Sequence, residues 1–126
     1  MPDFILLAAS VLMAAAFFVH VFVGGKYVAR PLLADKRLPP ASKWLNYYCW
    51  HLVSAMLVFF AVYLAYGSLN RPNIFVLSGL GVFFAGCSAL SVFAANKGGI
   101  SPLRFPSTSL FFVSAVCVAA DVLTYG

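Results

Sequence analysis

Charge is what this sequence lacks most. Only 9% of its 126 residues are charged, whereas about 25% are charged in a typical soluble domain. Acidic residues are the scarcest, with three aspartates and no glutamate in the whole chain. Hydrophobic residues make up 63% of the chain, which is more than a soluble fold of this length can bury. The composition therefore excludes a soluble globular domain and indicates a protein whose solvent is lipid.

Cysteines are few, and the net positive charge does not have the pattern of a nucleic-acid-binding protein. The three cysteines, Cys49, Cys87 and Cys117, lie in apolar segments at different expected depths. We therefore expect free thiols and no disulfide framework. The net charge of +5 does not predict a nucleic-acid partner, because the basic residues lie in short loops between long apolar runs. That pattern is typical of membrane topology, and it predicts lipid as the surrounding partner.

Four apolar runs are long enough to cross a bilayer as helices, which takes about 20 residues each. They cover residues 4–23, 47–66, 74–95 and 105–123. The runs are apolar throughout, without the alternation expected of membrane-spanning strands. The first run follows an acidic start, so we interpret it as a retained span and not a signal peptide. The prediction is an all-α integral membrane four-helix bundle: a single transmembrane domain with antiparallel, up-down topology.

The distribution of Lys and Arg predicts the orientation. Seven of the eight basic residues fall in the first and third loops, namely Lys26, Arg30, Lys36, Arg37, Lys43, Lys97 and Arg104. Arg71 alone falls in the second loop. By the positive-inside rule, the first and third loops are cytoplasmic and both chain ends lie outside. The small size, and the lack of an organelle signal, favour a bacterial inner membrane with the ends in the periplasm.

His20 and His51 are the candidate functional residues. Ionisable side chains inside a span are costly, so each is a hypothesis for function. Both lie three or four residues from the expected cytoplasmic end of their span, at matching depths. Both share a helix face with small residues, so we expect that the two imidazoles can meet between helices. Possible supporting residues around His51 are Tyr47, Tyr48, Cys49, Trp50 and Ser54.

Three interpretations of the histidines stay open. The first is structural: each ring hydrogen-bonds a carbonyl, a tyrosine or interfacial water. The second is a metal or haem b site, since imidazole is a common ligand. Two histidines do not complete a zinc site, and a haem held by both would need a large cavity. The third is a proton relay or proton-coupled transport, because histidine titrates near neutral pH.

Small and charged residues suggest how the helices are held together. Gly81, Ala85 and Ala89 recur every four residues on the third span, a spacing that lets helices approach closely. We expect this face to mediate packing within the bundle, in a homodimer or in a larger membrane complex. Arg71 and Asp121 are predicted to form an ion pair at the outer face, where Asp3 also lies.

The stretches Tyr47-Tyr48-Cys49-Trp50-His51-Leu52 and Gly99-Ile100-Ser101-Pro102-Leu103-Arg104 resemble those of small uncharacterised bacterial membrane proteins. The resemblance implies a four-helix membrane fold and brings no activity with it. We therefore predict a multi-pass inner-membrane protein with a non-enzymatic structural, accessory or assembly role. The alternative is a histidine-based haem-binding, metal-binding or proton-coupled transport protein using His20 and His51.

Overall fold

The computed structural model describes residues 3–125, which form four long helices with no strand among them. The helices are α1 (Phe4–Ala34), α2 (Pro40–Leu69), α3 (Ile74–Lys97) and α4 (Pro106–Tyr125). A single 3₁₀ turn over Pro102–Arg104 leads into α4. All four helices are long and apolar enough to cross a membrane. The prediction of an all-helical chain with four such helices is confirmed.

Helix α1 changes its hydrogen bonding along its length. It is α-helical over Phe4–Phe18, π-helical over Val19–Ala29 and α-helical again over Arg30–Ala34. At the end of the π segment, the Arg30 N–H donates to the Gly25 carbonyl, five residues earlier. Each π turn holds more residues than an α turn, so the side chains of this segment are rotated relative to those of a regular α-helix.

The connection between α1 and α2 is shorter than the apolar runs indicate. Residues 24–46 were expected to form a loop, but the helices leave only residues 35–39 between them. Pro40 does not prevent this, because it lies in the first turn of α2, where the missing N–H has no helical partner to lose. Pro31 lies in the last turn of α1, which ends at Ala34. Polar and charged residues continue both helices past the apolar runs.

Helix ends carry recognisable caps. The Asp3 carboxylate accepts the N–H groups of Ile5 (2.9 Å) and Leu6 (3.2 Å) at the start of α1. Asn73 caps α3 in the same way, by accepting the Phe75 N–H at 2.9 Å. These bonds satisfy N–H groups that have no partner inside the helix. Gly99, after α3, adopts a positive φ of 67°, a conformation that ends helices and favours glycine.

The helices pack in a ring with one loose side. Helix α1 packs against α2 and α4, and α3 packs against α4, while the backbones of α2 and α3 stay more than 8 Å apart. Aromatic side chains bridge this gap: the Phe60 ring lies 5.6 Å from that of Phe83 and 5.1 Å from that of Phe84. The buried core consists of Leu6, Ala9, Met13, Leu57, Phe60, Leu64, Leu77, Phe84 and Val118.

Hydroxyl groups tie the closely packed pairs together. Ser88 donates to the Thr108 carbonyl at 2.9 Å, and Ser91 shares a 2.8 Å hydrogen bond with the Thr108 hydroxyl, both between α3 and α4. Ser10 of α1 donates to the Ala61 carbonyl of α2 at 2.7 Å. Bonds of this kind commonly join helices in apolar surroundings.

The outer surface of the bundle is apolar on every helix. Every helix exposes large hydrophobic side chains; the exposed fraction is 69% for Phe22, 63% for Val62, 83% for Phe75 and 60% for Phe112. Soluble proteins rarely expose contiguous apolar surface of this extent. The four helices are therefore compatible with a membrane protein.

Candidate functional site

A groove of about 660 Å³ lies between α1, α2 and the start of α4. Its size falls in the range of ligand pockets in proteins. Most of its walls are aliphatic side chains, and polar atoms come from His20, Tyr27, Trp50, Ser107 and Ser109. His20 is the histidine of this groove, and His51 does not line it.

His20 is held by a single residue of α2. Its Nε2 lies 3.2 Å from the Trp50 carbonyl oxygen, and its ring stacks on the Trp50 indole with centroids 3.8 Å apart and an angle of 17°. Because a carbonyl can only accept, Nε2 carries the hydrogen of this bond. In the neutral ring Nδ1 is then the unprotonated nitrogen, free to accept a hydrogen bond or to coordinate a metal.

Gly24 is the residue that lets Trp50 approach α1. A Cβ at this position would lie 2.5 Å from Cη2 and 3.1 Å from Cζ2 of the Trp50 ring, so any larger residue displaces the indole. Ser54 supports the same arrangement by donating to the Trp50 carbonyl at 3.2 Å. Both His20 and Gly24 belong to the π-helical segment, and π turns occur frequently at functional sites.

The sequence contained a weak signal for Gly24. It follows His20 by four residues, the spacing that places two side chains on one helix face. A small residue beside a histidine on such a face marks a place where a neighbouring helix can approach. Nothing in the residue pattern predicted the π-helical segment itself.

His51 has different neighbours. Its side chain is exposed, and its ring packs edge-to-face on Tyr47 at 4.5 Å and 87°. Tyr48 and Cys49 are exposed as well. The structure therefore brings together His20, Trp50 and Ser54, and it leaves His51 and Tyr47 on another face of α2. Chemistry in the groove rests on one histidine.

The donor set limits what the groove can hold. Within residues 3–125, no three His, Cys, Asp or Glu side chains lie close enough to bind a metal ion together. A single imidazole nitrogen in an apolar groove suits a lipophilic molecule with one polar group. That group would donate a hydrogen bond to Nδ1, or, were a haem bound, His20 would be the residue that holds its iron.

A second polar cluster lies at the opposite end of the bundle. Arg71 reaches two carboxylates, with Nη1 3.7 Å from an Asp3 oxygen and Nη2 3.8 Å from an Asp121 oxygen. Its guanidinium also lies 4.7 Å from the centre of the Tyr125 ring. Asp121 is fully buried, whereas the Arg71 side chain is 47% exposed. The predicted partners Arg71 and Asp121 are thus neighbours, joined by a third residue, Asp3.

Asp3 is anchored and charged. Its backbone N–H donates to the Ser68 carbonyl at 2.7 Å, which ties the start of α1 to the end of α2. Partial burial opposes ionisation of Asp3, but the nearby Asp121 carboxyl, the amide groups of Leu6 and Ile5, and Arg71 together hold its pKa below the ordinary value. The sequence signal for Asp3 was its place directly before an apolar run, where a capping aspartate is expected.

The small residues Gly81, Ala85 and Ala89 of α3 line one groove beside α4. Gly81 faces α4, and a Cβ there would lie 3.1 Å from Val118 Cγ1, so glycine permits this close approach. Ala85 and Ala89 are exposed and line a groove of about 720 Å³ between α3 and α4, together with Ala119.

A function can therefore be inferred from three sites: the His20 groove, the cluster of Asp3, Arg71 and Asp121 (the Arg71 cluster), and the α3–α4 groove. Comparisons with protein-family models, with curated proteins and with solved structures give no match to this chain.

Proposed function

We propose that the chain is a multi-pass integral membrane protein with one transmembrane domain of four antiparallel, up-down helices. The apolar surface exposed around all four helices carries this proposal. The contacts at the Arg71 end support the alternating direction. There, the start of α1 meets the end of α2 through Asp3 and Ser68, and Arg71 meets Asp121 near the end of α4.

The orientation follows from the charges at the two ends. The end that holds Asp3, Arg71 and Asp121 has one basic residue, and the remaining seven lie toward the other end, in the connections and in the helix ends that lead into them. At that other end Lys43 donates to the Leu33 carbonyl at 3.1 Å, which joins α2 to α1. By the positive-inside rule this end is cytoplasmic, and both termini lie outside the inner membrane of a bacterium.

The proposed role is non-enzymatic: an accessory or assembly subunit that associates through the α3–α4 groove. Exposed small residues at four-residue spacing, Ala85 and Ala89, let another helix approach closely in lipid. Because Gly81 already brings α3 and α4 together, the groove presents two helices to the incoming one. A second copy of the chain is the occupant we propose.

Cysteine labelling in intact cells tests the topology. In a background with Cys49, Cys87 and Cys117 changed to alanine, a cysteine at Asn70 is expected to react with a membrane-impermeant maleimide added from outside. A cysteine at Lys36 is expected to react only after the membrane is opened. Labelling of both positions from outside, or the reverse pattern, would overturn the orientation.

The same background tests association between copies. Ala85→Cys is expected to form a disulfide-linked dimer in membranes treated with a mild oxidant, because a disulfide needs Cα atoms within about 7 Å. Ala55→Cys is the matched control, since Ala55 is exposed on α2 and lines neither groove. Equal cross-linking at both positions would indicate random collision and reject the α3–α4 interface.

A second candidate function is favoured by the geometry of His20: binding of one lipophilic molecule in its groove. The Trp50 carbonyl fixes the hydrogen on Nε2 and leaves Nδ1 as an acceptor beside an apolar cavity of about 660 Å³. A lipid with a hydroxyl head group is one such ligand, and haem b, which would be held through its iron, is the other candidate. This interpretation uses His20 alone and does not need His51.

The matched pair His20→Ala and His51→Ala tests this candidate. Purified protein is extracted with organic solvent, and the extract is analysed by absorption and mass spectrometry. We expect a ligand near one per chain in the wild type and in His51→Ala, and a loss of at least tenfold in His20→Ala. A wild type that carries no more ligand than His20→Ala would remove this candidate.

A further inference from the structure

The Arg71 cluster has an excess of acid. Asp3 and Asp121 face one guanidinium, with both contacts longer than a hydrogen bond at 3.7 and 3.8 Å. Asp121 is 0% exposed, and neither of its oxygens has a hydrogen-bond partner within residues 3–125. A buried carboxylate without partners is strongly unfavourable as an anion. The unpartnered oxygens of Asp121 therefore require a cation that Arg71 alone does not supply.

The two carboxyls differ in their ability to carry charge. Asp3 lies at the start of α1, where two amide N–H groups and the positive end of the helix dipole favour an anion. Asp121 lies in the last turns of α4, where the negative end of the dipole disfavours one. Its own helix therefore opposes the ionisation of Asp121, and nothing in its described surroundings donates a hydrogen bond to it.

We propose that Asp3 and Asp121 form a binding site for a single proton, which resides on Asp121 and is shared toward the Asp3 carboxylate. With the proton bound, Asp3 and Arg71 balance each other, and Asp121 is a neutral hydrogen-bond donor. Loss of the proton leaves two carboxylates on one guanidinium. This site is separate from the His20 groove, which lies toward the other end of α1, and it does not depend on a ligand there.

The site has a route to solvent. Arg71 is about half exposed, so water can reach the cluster along the guanidinium. Among residues 3–125, the titratable and charged groups that face it are Asp3 at the start of α1, Arg71 from the α2–α3 connection and Tyr125 from α4 itself. Tyr66 of α2 is exposed on a helix that does not pack against α4. The proton therefore equilibrates at the end of the bundle that we place outside.

Infrared spectroscopy of the protein in detergent tests the proposal, because the chain has three acidic side chains to distinguish. At about pH 5 an ordinary aspartate, with a pKa of about 3.9, is almost fully ionised. We expect the wild type to retain the carbonyl stretch of one protonated carboxyl at this pH and to lose it as the pH rises. Asp121→Asn and Asp3→Asn are each expected to lose the band.

Asp35→Asn is the matched control. Asp35 lies in the connection at the other end of the bundle, where its carboxylate accepts the Arg37 N–H at 2.7 Å, and its removal is expected to leave the band unchanged. A wild type without the band at about pH 5, or a band that survives in Asp121→Asn, would overturn the proposal. A band abolished by sodium, but not by choline at equal ionic strength, would replace the proton site with a metal-cation site.

Discussion

Replacing Phe84 with alanine is expected to lower the free energy of unfolding by about 3 kcal/mol, the low end of the range for Phe→Ala in a core. Phe84 is fully buried. Its ring contacts Phe60 across the gap between α2 and α3, at 5.1 Å, and Phe111 of α4, at 5.9 Å. In lipid the loss consists mainly of dispersion contacts and of the void left behind.

The measurement for Phe84→Ala is reversible unfolding in mixed detergent and SDS micelles, followed by circular dichroism. Phe75→Ala is the control, because Phe75 lies on α3 like Phe84 but is 83% exposed. Surface changes of this kind usually shift stability by less than about 0.5 kcal/mol. Equal destabilisation by both variants would mean that Phe84 does not hold α2 to the rest of the bundle.

Gly24→Ala is expected to destabilise the chain by about 1–2 kcal/mol, in the range typical of overpacking. The new methyl group would lie 2.5 Å from the Trp50 ring, so the indole must leave its stack on His20. Gly25→Ala is the matched control, because a Cβ there meets nothing within 4 Å. Replacing glycine inside a helix is then favourable by about 0.5–1 kcal/mol.

Two measurements report on the Gly24 and Gly25 variants: unfolding in detergent, and tryptophan fluorescence in a Trp44→Phe background, where Trp50 is the remaining tryptophan. The emission maximum of Gly24→Ala should shift, because the indole loses the imidazole, while that of Gly25→Ala should not. If both variants keep the wild-type spectrum and stability, Trp50 does not pack against Gly24.

The sequence predicted the helices well because each needs only a long apolar run. It did not predict where α1 ends and α2 begins, because backbone hydrogen bonds continue a helix through charged residues such as Lys26 and Lys43. The sequence also did not predict how each helix is rotated about its own axis. The spans are apolar on every side, so no polar stripe indicates which face of α2 meets α1.

The candidate sites illustrate the same limit. The pairing of Arg71 with Asp121 was suggested by their shared depth, and the two side chains lie 3.8 Å apart. Asp3 joins them although it precedes Asp121 by 118 residues, a contact that depends on how α1 packs against α4. His20 and His51 were also expected at the same depth, but the residue that faces His20 is Trp50, which precedes His51 by one position. Neighbouring residues on a helix point about 100° apart, so His51 points elsewhere.

The loose side of the helix ring has a consequence for synthesis of the protein at the membrane. Every close backbone interface of α2 is made with α1, and every close interface of α3 is made with α4. The first hairpin can therefore form its α1–α2 interface while the second half of the chain is still on the ribosome. The second hairpin forms next, and the interface between α1 and α4 then docks the two preformed halves. Each helix therefore has its closest backbone partner beside it in the sequence, and only the contacts between the hairpins await the end of translation.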